Sequence, residues 1–284
     1  MKPPPHRDRP FPDRLGERML RLRTRLVVGI DPVASRFPRS LRQRDVEEAL
    51  VGFAEGVLDA VSSSVAAVKP QVAFFERHGW RGWRALQRVV EGAARRGVPV
   101  IADAKRGDIG STARAYAEAF LGEDPETPGP YVDAVTVHPY LGHDSLEPFL
   151  ERVRTGERGL FVLARTSNPG GAELQARRSE GEPVYLAVAR AAARWGEAMT
   201  GKGGYHPVGL VAGATFPEEL AEIRAAAPGS ILLVPGLGAQ GGSVEEIRPA
   251  FDEQGLGGLA SASRSVIYAY EAPQAEPPPP GRRL

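Results

Sequence analysis

An α/β fold, a single (β/α)8 barrel with a short N-terminal helix and a disordered Pro-rich C-terminal tail, is the architecture this sequence predicts. Three observations point to it. Eight short runs rich in β-branched and apolar residues recur along 284 residues. Segments of helix length, with apolar spacing near three and four, lie between them. No linker divides the series. Strands alternating with helices imply βα units and parallel pairing, and about eight units in about 250 residues suit a closed barrel. A doubly wound open sheet is the alternative; no GxGxxG follows the first run, which weighs against it.

In chain order, residues 1–12 are rich in Pro and Arg and are expected to fray. "PDRLGERMLRLR" reads as a short helix leading into the first strand, "RLVVGID" (25–31). "DVEEALVGFAEGVLDAV" is the clearest helix, with Val46, Leu50, Phe53, Val57, Leu58 and Val61 on one face. "SVAAVKP" (64–70) is the second strand, "GWRALQRVVEGAARR" a helix and "VPVIADAK" (98–105) the third strand. A long loop, "LGEDPETPGPY" (121–131), precedes "VDAVTVHP" (132–139), and "GLFVLART" (159–166) is the fifth strand. A second long loop (169–183) leads to the helix "PVYLAVARAAARWGEAM" and the strand "PVGLVAGAT" (207–215). "PEELAEIRAAA" is the last clear helix, before "SILLVPG" (230–236) and "LGGLASAS" (256–263). "EAPQAEPPPPGRRL" is a tail expected to be disordered. The expected organisation is one domain over 1–284, with the barrel over about 25–270 and 1–12 and 271–284 outside it.

Composition narrows the function. Lys and Arg total 36 against 35 Asp and Glu, a net charge of +1, so no strong field for nucleic acid or a membrane surface is expected. The absence of Cys excludes disulfides, thiolate metal sites and Cys nucleophiles. The N-terminal stretch has no apolar core of a secretory signal, and no uncharged apolar run reaches the ~18 residues a bilayer span needs. A cytoplasmic location is the expectation. Only four of the 36 basic residues are lysines: Lys2, Lys69, Lys105 and Lys202. Lys69 and Lys105 end apolar runs, where a compact charge able to release a proton serves and Arg does not.

Catalytic groups of a barrel come from the C-terminal ends of its strands. Those ends carry Asp31, Lys69, Asp103 with Lys105, Thr136 with His138, Thr166 with Ser167, Gln240 and Arg264. Asp103 and Lys105 are two apart on a strand and point the same way. With Asp108 just beyond and Lys69 on the neighbouring strand, a row of alternating charges, Lys69, Asp103, Lys105, Asp108, is expected across the mouth. "PGLGAQGG" after strand seven and "SASRSVIYA" after strand eight suggest phosphate. Glycine backbone N–H groups, a following helix N-terminus and an Arg264 clamp would all favour an anion there.

At this point the residues resemble a known family. "DAKRGDIGST" is similar to the D-x-K-x-x-D signature of orotidine 5′-phosphate decarboxylases, in the form of their longer bacterial branch. The resemblance spans about residues 11–270 and carries the other motifs in order: "VVGIDP", "VKPQVAFFERHG", "TSNPGG", "PGLGAQGG" and "SRS". It implies that Lys69, Asp103, Lys105 and Asp108 are catalytic, with Lys105 protonating C6 as CO2 leaves. It further implies Asp31 on the ribose, Ser167 on the pyrimidine, and Gln240, Gly241, Gly242 and Arg264 around the phosphate. Asp108, Ile109 and Thr112 would reach into the partner subunit's site in a homodimer. The product would be UMP, made without metal or cofactor for pyrimidine synthesis.

The residues weigh on the alternatives. Sugar-phosphate enzymes of similar fold place Mg2+ on a D-x-K-like signature, but two lysines crowd this site with positive charge, and no metal is expected. His138 and His143 lack a third ligand, and His138 reads as a structural hydrogen-bond partner. A non-catalytic binder would gain nothing from closely packed charges, and near-zero net charge argues against an RNA-binding role.

Overall fold

The computed structural model describes residues 9–122, 129–236 and 244–271. Eight parallel strands form the sheet: β1 (Leu26–Ile30), β2 (Ala67–Pro70), β3 (Ile101–Arg106), β4 (Ala134–Val137), β5 (Gly159–Arg165), β6 (His206–Ala212), β7 (Ser230–Pro235) and β8 (Gly258–Ala262). Their order is β2-β1-β8-β7-β6-β5-β4-β3. Parallel bridges Val68↔Val100 and Gln71↔Asp103 join β2 to β3, so the sheet closes into the expected barrel. Helices α1 (Phe11–Leu22), α2 (Val46–Val61), α3 (Gly79–Arg95), α4 (Gly110–Leu121), α5 (His143–Val153), α6 (Val184–Gly196) and α7 (Pro217–Ala226) precede or link the strands. Among the described residues no α-helix lies between β7 and β8, where a turn and the 3-10 helix Arg248–Ala250 stand instead. No helix among the described residues is long and apolar enough to cross a membrane.

The period of two along each strand sorts side chains into two cores. Val28, Val68, Ala102, Val135, Leu160 and Val162 face outward and pack under the helices. Val27, Ala67, Ile101, Ala134, Phe161 and Leu259 face the barrel axis. Phe11, Leu15 and Met19 of α1 join this inner cluster. The start of the chain is therefore not frayed as far as 12: Phe11 and Pro12 are buried, and Phe11 meets Phe161 edge-on at 6.3 Å. The inner face of a barrel must be covered at its lower end, and α1 covers it. The Arg14 guanidinium pairs with Asp133 at 3.0 Å, both buried. Arg18 donates to the carbonyls of Val65 and Gly97 at 2.9 and 3.0 Å and to that of Ser62.

The loop over 169–183 carries structure of its own. A 3-10 turn (Pro169–Gly171) and a single helical turn (Ala172–Gln175) precede a two-stranded hairpin of Arg178–Ser179 with Glu182–Pro183. Gln175 Oε1 accepts from the Thr166 backbone at 2.9 Å, which ties this loop to the end of β5. Residues 272–284, nearly all of the tail expected to be disordered, lie outside the described residues.

Candidate active site

The parity that turns Ala67, Ile101 and Ala134 inward carries up each strand to its C-terminal end. It sends Lys69 from β2 and Gln71 just after it, Asp103 from β3 and Thr136 from β4 toward the barrel mouth, and Lys105, in the irregular stretch after Asp103, joins them. They converge on one carboxylate. Lys69 Nζ donates to Asp103 Oδ2 at 2.6 Å and Gln71 Nε2 to the same oxygen at 3.2 Å. Asp103 Oδ1 accepts from Lys105 Nζ and, at 3.2 Å, from the Thr136 hydroxyl. A carboxylate offers about four lone-pair sites, and each here has a donor. Burial alone would raise the Asp103 carboxyl; the adjacent Lys69 and Lys105 ammonium groups outweigh it and hold the group down at about 2. Asp103 is therefore a fixed anion and not a proton carrier near neutrality.

The two lysines differ in access. The Lys69 side chain is 9% exposed and sits beneath the carboxylate, whereas that of Lys105 is 45% exposed and opens to the mouth. Lys105 has a left-handed backbone, φ 48°, which a side chain-bearing residue adopts at a cost. Arg106, next along, points away from the mouth: it pairs with Glu76 and lies over the rings of Tyr116 and Phe120. Gly107 follows because His138 packs against it; a Cβ there would fall 2.1 Å from His138 Nε2. His138 Nδ1 is buried with no hydrogen-bond partner among the described residues, and the ring packs against Gly107.

Asp31 leaves β1 beside this cluster. Its Oδ1 is buried without a hydrogen-bond partner among the described residues. Burial pushes its carboxyl up, opposed only in part by Lys69, the Ser263 hydroxyl and Arg264. Ser263 comes this close because Gly29 has no side chain; a Cβ there would lie 1.8 Å from Ser263 Oγ.

A profile of the orotidine 5′-phosphate decarboxylase / HUMPS family matches residues 24–276. The chain belongs to this family. It is 44% identical over 269 residues to the orotidine 5′-phosphate decarboxylase of Rhodopirellula baltica, covering 92% of this chain and 89% of that protein. It is 48% identical over 254 residues to that of Roseiflexus castenholzii, with 88% and 85% covered. The solved OMP decarboxylase of Leishmania donovani superposes with a TM-score of 0.75 at 37% identity, covering 91% of each chain.

Within this family member the structure brings together Lys69, Asp103 and Lys105, with Asp31 alongside. The expected row stops there. Asp108 accepts from its own neighbour's N–H, Ile109, at 2.8 Å, and among the described residues it forms no ion pair. Ile109 is 58% exposed, and Thr112 is exposed in the first turn of α4. Ser167 stands at the end of β5, its carbonyl accepting from Thr215 Oγ1 at 3.4 Å. Arg264 is exposed at the start of a single helical turn, Arg264–Ile267. That turn is too short to supply the helix-end potential expected around an anion, so the side chain itself carries the charge. Gln240, Gly241 and Gly242 lie outside the described residues. Sequence reasoning missed Gln71 and the bonding of Thr136. Gln71 stands two residues after Lys69, and that spacing was the available signal.

Proposed function

We propose that this chain is an orotidine 5′-phosphate decarboxylase that forms UMP and CO2, with Lys105 as the proton donor and Lys69, Asp103 and Asp108 completing its charge network. The observation that carries this reading is the ammonium of Lys105, open to the mouth and held by an Asp103 that is ionised near neutral pH. The C6–carboxylate bond breaks, CO2 leaves, and the electron pair stays on C6. That carbon has no conjugated sink for the charge, so a fixed neighbouring cation lowers the barrier. Lys105 then gives its N–H proton to C6 and is reprotonated from solvent. The Asp103 anion beside the substrate carboxylate favours the product side, and Lys69 fixes Asp103 from below.

The remainder of the nucleotide is assigned by chemistry. The partnerless buried oxygen of Asp31 suits a ribose hydroxyl donor. Ser167 suits the pyrimidine edge, and Arg264, with Gln240, Gly241 and Gly242, the phosphate. Binding energy from that remote phosphate serves the chemical step, because the reacting carbon offers little to grip. Asp108, Ile109 and Thr112 suit the site of a second copy in a homodimer. All the lone pairs of Asp103 already have donors and two of these are ammonium groups, so a divalent ion would have to displace a donor and sit beside like charge; the reading is of chemistry without metal or cofactor.

The test is an ultraviolet assay of orotidine 5′-phosphate with the purified protein, before and after EDTA. Stoichiometric UMP at an unchanged rate is expected. No turnover overturns the assignment, and a rate lost to EDTA and restored by a divalent ion overturns the metal-free chemistry.

A further inference from the structure

The pairing of β3 with β4 slips where the chemistry sits. Ala102 is opposite Val135, but Arg106 is opposite Val137, so four steps along β3 match two along β4. The surplus residues form a bulge, and Lys105 is its left-handed member. Inside a bulge the N–H groups of the extra residues lose their ladder acceptors. Here both find one side chain. The backbone N–H of Ala104 donates to Thr136 Oγ1 at 3.0 Å and that of Lys105 at 2.9 Å. The hydroxyl proton of Thr136 goes to Asp103 Oδ1 at 3.2 Å. A hydroxyl has one donor and two acceptor sites, and all three serve the bulge and its carboxylate. Thr136 is 1% exposed, so water does not stand in for any of them.

We propose that the Thr136 hydroxyl is the positioning group for the proton donor: by accepting both bulge N–H groups it holds Lys105 left-handed and aims its ammonium at the reacting carbon. The inference rests on the decarboxylase reading for its catalytic consequence, though not for its structural one. Thr136 is a positioning residue, since it touches Lys105 and Asp103 and not the substrate. Remove the hydroxyl and two buried N–H groups have no acceptor, a situation that folded chains avoid. The available relief is for Lys105 to return to negative φ and rejoin the ladder, which swings its side chain off the axis. A displacement of about 1 Å at a reacting group costs about 100-fold in rate.

Three variants and two readouts test this. Thr136→Val keeps the shape and removes the hydroxyl; Thr136→Ser keeps the hydroxyl and removes the methyl. In Thr136→Val, kcat should fall about 100-fold, with KM and UMP affinity within about threefold of wild type, because the binding contacts lie on other strands. Thr136→Ser should recover kcat to within about threefold. A Val variant with near-normal kcat, a Ser variant as impaired as Val, or a Val variant whose UMP binding is lost along with kcat would each overturn the proposal. If Val does not fold, Thr136→Ala replaces it under the same criteria. The second readout needs no activity: a crystal structure of the Val or Ala variant should show Lys105 at negative φ with Nζ withdrawn from Asp103. A left-handed Lys105 in that structure overturns the proposal. An inactive wild type would sink the decarboxylase reading and leave this structural outcome to decide the role of Thr136.

Discussion

Asp103 is a buried anion whose environment was built around its charge, and of its two lysines Lys105 is the one open to the mouth. Lys105→Ala should lower turnover at least 10²- to 10⁴-fold, the usual worth of a positioned proton donor, with the fold intact by circular dichroism. Lys105→Arg should be nearly as poor, because Arg does not release a proton at neutral pH; an Arg variant retaining most of the rate would end the donor assignment. Arg264→Ala should lower kcat/KM about 10- to 150-fold, the worth of a charge-assisted contact of about 1.5–3 kcal/mol. An unchanged kcat/KM would free the phosphate assignment from this residue. Protonation also sets the acid limit of stability. Burial pushes His206 down from 6.5 to about 4, so the unfolded chain binds that proton more readily. Its contribution is complete above pH 6.5 and is lost as pH falls toward 4, a difference on the order of 3 kcal/mol. Asp103, lowered from 3.8 to about 2, adds a second loss as pH falls from about 4 to 2. Denaturant midpoints measured from pH 7 to 4 should decline, and His206→Gln should flatten that slope.

Among the elements, α1 has a role that its position at the edge of the barrel sequence did not advertise. Its apolar face fills the lower end of the inner core, and its two buried arginines tie it to the barrel: Arg14 to Asp133, Arg18 to three carbonyls. Removing a buried guanidinium takes away the charge-assisted hydrogen bonds it donates, each worth about 1.5–3 kcal/mol. Arg14→Ala should therefore lower the unfolding free energy by about that much, read as a lower urea midpoint at unchanged m, while kcat and KM at low temperature stay near wild type because the site lies at the opposite end of the strands. An unchanged midpoint would show that α1 does not seal the barrel. At the upper end, the β3 bulge is the corresponding device: one irregular element, held by β4, that sets the direction of one side chain.

At the scale of the whole molecule, Asp108, Ile109 and Thr112 are proposed to complete the site of a second copy. Under the shared-site proposal, a dimer of Lys105→Ala with Asp108→Ala holds one doubly damaged site and one intact site. After exchange of equal amounts of the two inactive variants, about half the dimers are mixed and half their sites work, so about a quarter of wild-type activity should return. If Asp108 served its own chain, every site would carry a lesion and none would return. No recovery after verified exchange would remove the shared site and leave the decarboxylase assignment standing.

Periodicity was enough to place all eight strands, to turn Asp103 inward, and to set Lys69 at the end of the adjoining strand. Those properties are local: they follow from the pleat and from residue chemistry, which a linear chain displays in full. What surrounds Asp103 could not be read that way. Gln71 and Thr136 donate to it from two other strands, and Thr136 captures the bulge only because β3 and β4 pair with a slip. Register is a relation between strands and exists only once the barrel closes. The same reason hid the burial of Phe11 and Pro12, which depends on an open barrel end needing a cover. A chain alone specifies which way each side chain faces along its own strand. The closed barrel decides which groups from different strands meet, because hydrogen bonds and buried charges are satisfied across space and not along the sequence.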